Sequence, residues 1–304
     1  MAEIGALAAA SEHHKPARRG RWTPYLLLIP GMLWLVVFFV LPTLSLASQS
    51  LQTGSVDEGY TMTWNWQTYT DALALYWPQF LRSLIYAGLA TALALVLGYP
   101  LAYFIAQKAG KWKNLLLVAV IAPFFTSFLI RTLAWQIILN NDGPVTTFAR
   151  RIHFTNLIQA LHLTNTDTLM SSPFAVICGL TYNFLPFMIL PLYANLERLD
   201  PRLVEAAHDL YASPVESFRR VIWPLSLPGV VAGTLLTFIP AAGDFINSRL
   251  LGSTQTVMIG QVIDGQFLQV LDYPTAAALS FVLMLTIVLM VALYVRRSGT
   301  EELV

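Results

Sequence analysis

The sequence predicts an all-α membrane protein with six transmembrane helices, and two observations carry that prediction. The first is composition: of 304 residues, 56% are hydrophobic and only 12% are charged, whereas a soluble domain is about 25% charged. The second is charge spacing, which leaves six uncharged stretches of 17 to 35 residues. An apolar helix of ~20 residues spans a bilayer, and a charge at its centre costs about 2.5–3.5 kcal/mol. The composition argues against a water-soluble enzyme and excludes a disordered chain.

The uncharged stretches locate the helices at about 25–47, 83–106, 115–139, 173–193, 225–246 and 274–295. The first is interpreted as an uncleaved anchor, because its apolar run of 22 residues is longer than the ~7–15 residues of a signal-peptide core. Residues 250–263 are uncharged but too few to span, which suits an interfacial or re-entrant piece.

The two predicted outer loops cover residues 48–80 and 140–172. The first loop is rich in aromatic residues, namely Tyr60, Trp64, Trp66, Tyr69, Tyr76 and Trp77. These side chains suit an aromatic belt at the lipid interface, and the alternative is a docking surface for an outer partner. The second loop is polar.

The basic residues are distributed unequally between the two sides of the predicted bundle. An even number of helices places both termini on one side, and 13 of the 18 Lys and Arg residues lie on that side. The positive-inside rule makes that side cytoplasmic. The expected organisation is a cytoplasmic tail at 1–22, a membrane domain at 23–297 and a cytoplasmic tail at 298–304, in the cytoplasmic (inner) membrane.

Sequence motifs of catalysis are absent. The chain contains no G-x-x-x-x-G-K-[ST] phosphate loop, no H-E-x-x-H and no G-x-S-x-G. Its single cysteine, Cys178, excludes an intrachain disulfide and a cysteine-based metal cluster. The net charge of +1 gives no basic excess of the kind that nucleic-acid binding requires. We expect a non-catalytic chain that holds no metal or cofactor and binds no nucleic acid.

The predicted cytoplasmic loop at 197–224 has the signals of two short helices. Asp200-Pro201 suits a helix start, and Ser213 with Glu216 forms a capping box for a second helix. Pro224 is expected to stop or kink that helix. The first helix carries a small apolar stripe at three- and four-residue spacing, made of Leu203, Ala206, Ala207 and Leu210. Two interpretations remain open at this point: a knob for a partner protein, or an amphipathic pair lying on the lipid surface.

Within this loop, Glu205-Ala206-Ala207 and Pro224 resemble the EAA loop of ABC importer permeases. That pattern has a glycine six residues after the glutamate and a proline nineteen after it. Tyr211 stands at the glycine position, and Ala212-Ser213 can carry the turn instead. The resemblance implies that the loop docks into a cleft of a cytoplasmic ATPase. The implied coupling residues are Glu205, Ala206, Ala207, Leu210, Tyr211, Phe218 and Pro224.

Longer segments resemble spermidine/putrescine permeases of the PotB type, over roughly 22–297. Among them are Leu129-Ile130-Arg131-Thr132, Tyr182-Asn183-Phe184-Leu185-Pro186, Glu205-Ala206-Ala207-His208-Asp209-Leu210 and Leu250-Leu251-Gly252. This resemblance implies a MetI-like, type I importer fold that takes up polyamines by alternating access. The implied partners are a PotC-type second permease, two PotA-type ATPase subunits that hold ATP and Mg, a PotD-type outer binding protein and the lipid bilayer.

Two charges, Arg131 and Asp244, lie well inside predicted helices. At a rise of 1.5 Å per residue, both are roughly 25 Å from the inner face. Intramembrane charges are functional candidates by default. One interpretation is a structural pair of Asp244 with Arg131 or Arg249. The other places Asp244 in the substrate pathway, where it receives an ammonium group beside Asn183 and the aromatic residues Trp135 and Tyr182.

Other classes of membrane protein remain as alternatives. One is a permease for a different small organic solute. An ion-coupled secondary transporter is a second, but such proteins often show internal repeats, and none is found. A membrane-embedded enzyme is a third, and it would need clustered ionisable residues. None of the five histidines lies in a predicted helix.

Overall fold

The computed structural model describes residues 23–160, 164 and 168–297. It divides into two compact units, Met1–Ser48 and Gln49–Val304. The tails predicted at 1–22 and 298–304 lie outside the described residues. In the described part, five helices are long and apolar enough to cross a membrane, or six when one bent helix pair is counted as a single span. The predicted all-α, six-span architecture is therefore confirmed.

The first span is a helix made mostly of apolar residues. It consists of α1 (Thr23–Leu35), a π-helical turn (Val36–Val40) and α2 (Leu41–Ser50). Large apolar side chains such as Trp34 and Phe38 are exposed along it. A helix that is hydrophobic on all sides suits a membrane span.

A β-hairpin and a long helix replace most of the predicted first outer loop. Strands β1 (Gln52–Ser55) and β2 (Gly59–Met62) are antiparallel. Helix α3 (Gln67–Tyr103) then begins far earlier than the predicted residue 83. The predicted start was wrong because it placed Arg82 outside the helix on account of its charge, whereas the fold accommodates that charge: Arg82 Nη1 donates to the carbonyl oxygen of Val257 at 2.9 Å.

The third span is broken. A 3₁₀ turn (Gly110–Trp112), α4 (Lys113–Ile121) and a second 3₁₀ turn (Ala122–Phe125) precede α5 (Phe128–Leu139), and the two halves meet at 93°. The prediction of a single helix at 115–139 was wrong. Thr126 and Ser127 adopt extended ψ angles of 153° and 134°, which interrupts the helical hydrogen bonds directly after the turn that contains Pro123.

The remaining elements follow the predicted order. Helices α6 (Pro144–Arg151) and α7 (Phe154–Ala160) lie in the predicted second outer loop, and α8 is the fourth span (Pro173–Leu196). The predicted cytoplasmic loop contains α9 (Pro201–Asp209) and α10 (Pro214–Ser217). After a π-helical turn (Phe218–Ile222) come α11 (Trp223–Ala242), α12 (Ile246–Leu251), α13 (Ile259–Gly265), another π-helical turn (Gln266–Val270) and α14 (Tyr273–Arg297).

Helices α3, α8 and α11 pack together as the centre of the second unit. Their backbones approach closely at small residues, as is common between membrane helices. A Cβ atom at Gly233 of α11 would lie 2.8 Å from the Met188 sulfur of α8, and one at Gly229 would lie 2.7 Å from the Asn195 Cβ. The hydroxyl groups of Tyr99 and Ser226 hydrogen-bond at 2.8 Å between α3 and α11.

The uncharged segment 250–263 does not form a span, as predicted. It holds the end of α12, a loop and the start of α13. The Ser248 hydroxyl donates to Gln261 Oε1 at 2.8 Å and accepts the backbone N–H of Met258 at 3.1 Å. The backbone N–H of Ile259 donates to the Ser83 hydroxyl of α3 at 2.7 Å. These contacts fold the segment back onto the central helices.

Candidate functional site

Helices α9 and α10 begin as the sequence predicts. The Asp200 carboxylate accepts the backbone N–H of Arg202 at 3.0 Å, with Pro201 at the first helical position. At α10, the Ser213 hydroxyl accepts the N–H of Glu216 at 3.3 Å, and the Glu216 carboxylate accepts the N–H of Ser213 at 3.1 Å. This capping box satisfies two otherwise unpaired donors. Local sequence therefore fixes both helix starts.

The turn between α9 and α10 is made at Tyr211. Tyr211 has a φ of 60°, and the N–H groups of Tyr211 and Ala212 donate to the carbonyl oxygens of His208 and Ala207 at 2.9 and 3.0 Å. This pattern is a Schellman motif, whose left-handed residue is usually glycine. The expectation that Ala212-Ser213 carries the turn was wrong, because the helix end requires the left-handed residue one position earlier.

The left-handed Tyr211 leads to a testable prediction. A non-glycine residue in this conformation costs roughly 1–2 kcal/mol, so Tyr211→Gly should stabilise the turn by about 1 kcal/mol. Hydrogen exchange of the Ala212 amide should slow about five-fold. Tyr211→Ala removes the ring but keeps the Cβ atom, and it should show no such slowing. Equal exchange in the two variants would show that the backbone conformation costs nothing.

The loop presents apolar side chains to the outside of the chain. Leu210, Tyr211 and Val215 are 82%, 97% and 74% exposed. Ala206, Glu205 and Leu203 are also exposed, whereas Ala207 is half-buried. Exposed apolar patches mark sites of protein or membrane interaction. We call Leu203, Ala206, Leu210, Tyr211 and Val215 the loop surface.

Phe218 and Pro224 belong to the base of the loop and not to the loop surface. The Phe218 ring packs edge-on against Tyr99 of α3, with ring centroids 5.6 Å apart. Pro224 does not stop the helix, contrary to one predicted outcome. The N–H of Trp223 donates to the carbonyl of Phe218, so a π-helical turn connects α10 to α11 and the helical run continues to Ala242.

The start of the loop is attached to the third span. Lys113 of α4 forms an ion pair with Glu197 and lies over the Tyr193 ring, 5.4 Å from its centroid. Hydrogen bonding to Lys113 holds the pKa of Glu197 below its usual value. In addition, Gln107 Nε2 donates to the carbonyl of Leu196 at 2.7 Å. The sequence analysis missed this junction, whose partners are far apart along the chain.

Asp244 lies in a break between α11 and α12 and is 8% exposed. Helix α11 ends at Ala242, earlier than the predicted residue 246. The Asp244 carboxylate accepts the backbone N–H of Asn247 at 2.8 Å. Asn183 of α8 donates through Nδ2 to Asn247 Oδ1 at 3.0 Å and to Thr132 Oγ1 at 3.2 Å. Thus Asp244, Asn247, Asn183 and Thr132 form a buried polar cluster that joins α5, α8 and α12.

The predicted ion pair between Arg131 and Asp244 is not formed in the described part of the chain. Asp244 is occupied locally by the N–H of Asn247, and the other candidate, Arg249, pairs instead with Asp264 at 2.8 Å. Arg131 is 8% exposed, and its Nε and Nη1 atoms have no hydrogen-bond partner among the described residues. Its guanidinium carbon lies 5.7 Å from the centroid of the Phe128 ring.

The two aromatic pathway candidates, Trp135 and Tyr182, contact each other but are not joined to Asp244 in the described part of the chain. Trp135 and Tyr182 pack edge-on with ring centroids 5.5 Å apart. Among the described residues, no hydrogen bond or ring contact joins this pair to Asp244. Asn247 was missed by the sequence analysis. The side-chain amide of Asn247 packs closely against Gly179 of α8. A Cβ atom at Gly179 would lie only 2.8 Å from Asn247 Oδ1.

The sequence model of a transporter family matches residues 94–297, and the family is described as "Binding-protein-dependent transport system inner membrane component". The matched segment includes the loop surface and the buried polar cluster. The chain belongs to this family of permeases. A permease of this family is a multi-pass protein of the inner membrane, in agreement with the apolar spans.

Curated relatives of this permease are similar over nearly their whole length. The spermidine/putrescine transport system permease protein PotB of Escherichia coli K12 is 41% identical over 269 residues, which cover 87% of this chain and 94% of PotB. PotB of Haemophilus influenzae is 37% identical, with coverage of 86% and 90%. The inner membrane ABC transporter permease protein YdcU of E. coli K12 is 33% identical, with coverage of 91% and 90%.

The permease fold is also found in a solved structure. A bacterial ABC transporter involved in the import of the acidic polysaccharide alginate superposes with a TM-score of 0.67, covering 92% of this chain and 96% of its own. At 17% identity, this likeness shows the fold alone. The fold is MetI-like, as the resemblance in the sequence implied.

Proposed function

We propose that this permease is one half of the membrane channel of an ATP-driven importer for polyamines such as spermidine and putrescine. The observation that carries the substrate class is the 41% identity to PotB over 87% of the chain. The chain has no phosphate loop of its own, so ATP and Mg are bound by a separate ATPase. The partners are a PotC-type permease, two PotA-type ATPase subunits and a PotD-type outer binding protein.

The loop surface is the proposed contact with the ATPase. Leu210, Tyr211 and Val215 would otherwise leave large apolar areas in water. A cleft of the ATPase covers these three side chains. When the ATPase closes, the cleft moves the loop, and the loop moves the membrane helices. The ion pair of Lys113 with Glu197 ties the start of the loop to α4, so that motion of the loop is passed on to the third span. Alternating access then needs no covalent chemistry in this chain.

The buried polar cluster is the proposed contact with substrate during passage. Asp244 supplies a negative charge for an ammonium group, and Asn183 holds the neighbouring Asn247 in place. The rings of Trp135 and Tyr182 offer cation–π surfaces on the same helices, α5 and α8.

Reconstitution tests the proposed activity. The permease is assembled with its second permease and ATPase in proteoliposomes, with the outer binding protein and radiolabelled spermidine on the opposite side from ATP. Uptake should require ATP and persist when ionophores collapse ion gradients. Uptake that follows an ion gradient without ATP would favour a secondary transporter. ATP-driven uptake of another organic solute, with spermidine rejected, would refute the polyamine assignment.

Both termini are proposed to be cytoplasmic, as expected from 13 of 18 basic residues lying on that side. In a Cys178→Ala background, single cysteines are introduced at Ser11, Ser55 and Ser298. An impermeant thiol reagent added to intact cells should label only position 55, which is exposed at the end of strand β1. Detergent-opened cells provide the control, since all three positions should then react. Labelling of 11 or 298 in intact cells would contradict this orientation.

A further inference from the structure

A groove of about 580 Å³ runs along the second unit between α3, α11 and α14. Small and apolar residues form most of its walls, namely Gly88, Ala92 and Leu95 from α3, and Leu227, Val231 and Phe238 from α11, and Thr91 and Thr234 also line it. The groove exists because α3 presents small residues there. A Cβ atom at Gly88 would meet nothing within 4 Å. The walls therefore suit a hydrocarbon chain.

One end of the groove is polar and basic. Trp223, the first residue of α11, and Tyr294 and Arg297, in the last turn of α14, line this end. Arg297 is exposed and forms no ion pair with any residue that the structure describes. Trp and Tyr favour the headgroup level of a membrane, and basic residues there attract anionic lipids.

The length of the groove matches one leaflet. Trp223 and Phe238 are 15 residues apart on α11, which is about 22 Å at 1.5 Å per residue. A bilayer with its headgroups is roughly 40–45 Å thick, so one leaflet takes about half of that. An acyl chain that starts at Trp223 and Arg297 would end near Phe238.

The charge at its end distinguishes this groove from a second, larger groove in the same unit. A second groove of about 660 Å³, lined by residues such as Ile239, Leu283 and Val288, carries no charged residue. We propose that the groove of α3, α11 and α14 binds one anionic phospholipid, with its phosphate at Arg297 and an acyl chain along Val231 and Leu95. The occupant comes from the leaflet on the side of the loop surface.

Photo-crosslinking tests the lipid site without any transport measurement, so its outcome is independent of the polyamine assignment. The full-length chain, alone and in the assembled importer, is placed in nanodiscs with phosphatidylglycerol that carries a diazirine on its acyl chain. Crosslinked peptides should map to 88–95 and 223–238. Phosphatidylcholine with identical chains should label these peptides about five-fold less, the loss expected for one basic contact.

Two pairs of variants locate the headgroup and the chain. Arg297→Gln should reduce phosphatidylglycerol labelling about five-fold, whereas Arg296→Gln removes the same charge next to the groove and should change nothing. Gly88→Leu should block labelling by filling open space, and Gly88→Ala should leave it intact. Equal labelling by the two lipids, or no effect of Arg297→Gln, would overturn the proposal. Protection of the groove by a helix of the second permease in the assembled importer would overturn it as well.

Discussion

An arginine at Ala206 is expected to abolish ATP-driven uptake while the chain still inserts into the membrane. Ala206 is exposed on α9, so the substitution does not disturb the packing of this chain. In the proposed importer the ATPase covers the loop surface, and a charge buried there without a partner would cost about 3–5 kcal/mol. At 1.4 kcal/mol per factor of ten, the affinity for the ATPase should fall by about 100-fold or more.

Copurification of the ATPase with the tagged permease measures this effect, together with uptake in proteoliposomes. His208→Arg is the matched control. His208 is exposed on the same short helix, and at 100° per residue its side chain points roughly opposite to Ala206. The control should retain both the ATPase and uptake. If Ala206→Arg also retains both, the loop surface does not dock the ATPase.

Substitution of Asp244 by asparagine should leave the complex intact and reduce polyamine uptake sharply. Asparagine keeps an oxygen that can accept the N–H of Asn247, which Asp244 now accepts at 2.8 Å. The substitution removes only the negative charge. A hydrogen bond to a charged group contributes about 1.5–3 kcal/mol, so kcat/KM for spermidine should fall by about 10- to 100-fold.

Asp272→Asn is the matched control for this prediction. The Asp272 carboxylate accepts the backbone N–H of Thr275 at 3.2 Å, the same local role at the start of α14, but it lies outside the buried polar cluster. Its substitution should leave uptake unchanged.

A second substitution, Arg131→Gln, tests the alternative of a structural ion pair. Because Arg131 and Asp244 do not pair with each other in the described structure, adding Arg131→Gln to Asp244→Asn should restore neither assembly nor uptake. Joint recovery of assembly and uptake in the double variant would instead show that the two charges pair in another conformation. Full uptake by Asp244→Asn alone would remove Asp244 from the substrate pathway.

Features that depend on neighbours along the chain were predictable from sequence. The capped starts of α9 and α10 follow from Asp200-Pro201 and from the Ser213–Glu216 capping box, because each cap is made within three residues. The apolar stretches located the spans, since the cost of a charge in hydrocarbon does not depend on how the helices pack. The EAA pattern located the loop surface, because the whole pattern lies within one short segment of the chain.

Features that depend on contacts across the fold were decided only by the tertiary structure. Judged by its charge alone, Arg82 marks the boundary of a span. In the fold, the carbonyl of Val257, which is distant in sequence, accepts a hydrogen bond from Arg82, and the helix continues through this residue. The ion pair expected for Asp244 is replaced by a helix break that places the carboxylate on the N–H of Asn247. Sequence spacing gave Arg131 and Asp244 a similar depth, but depth is one coordinate, and pairing requires that helix breaks and packing also bring the two side chains together.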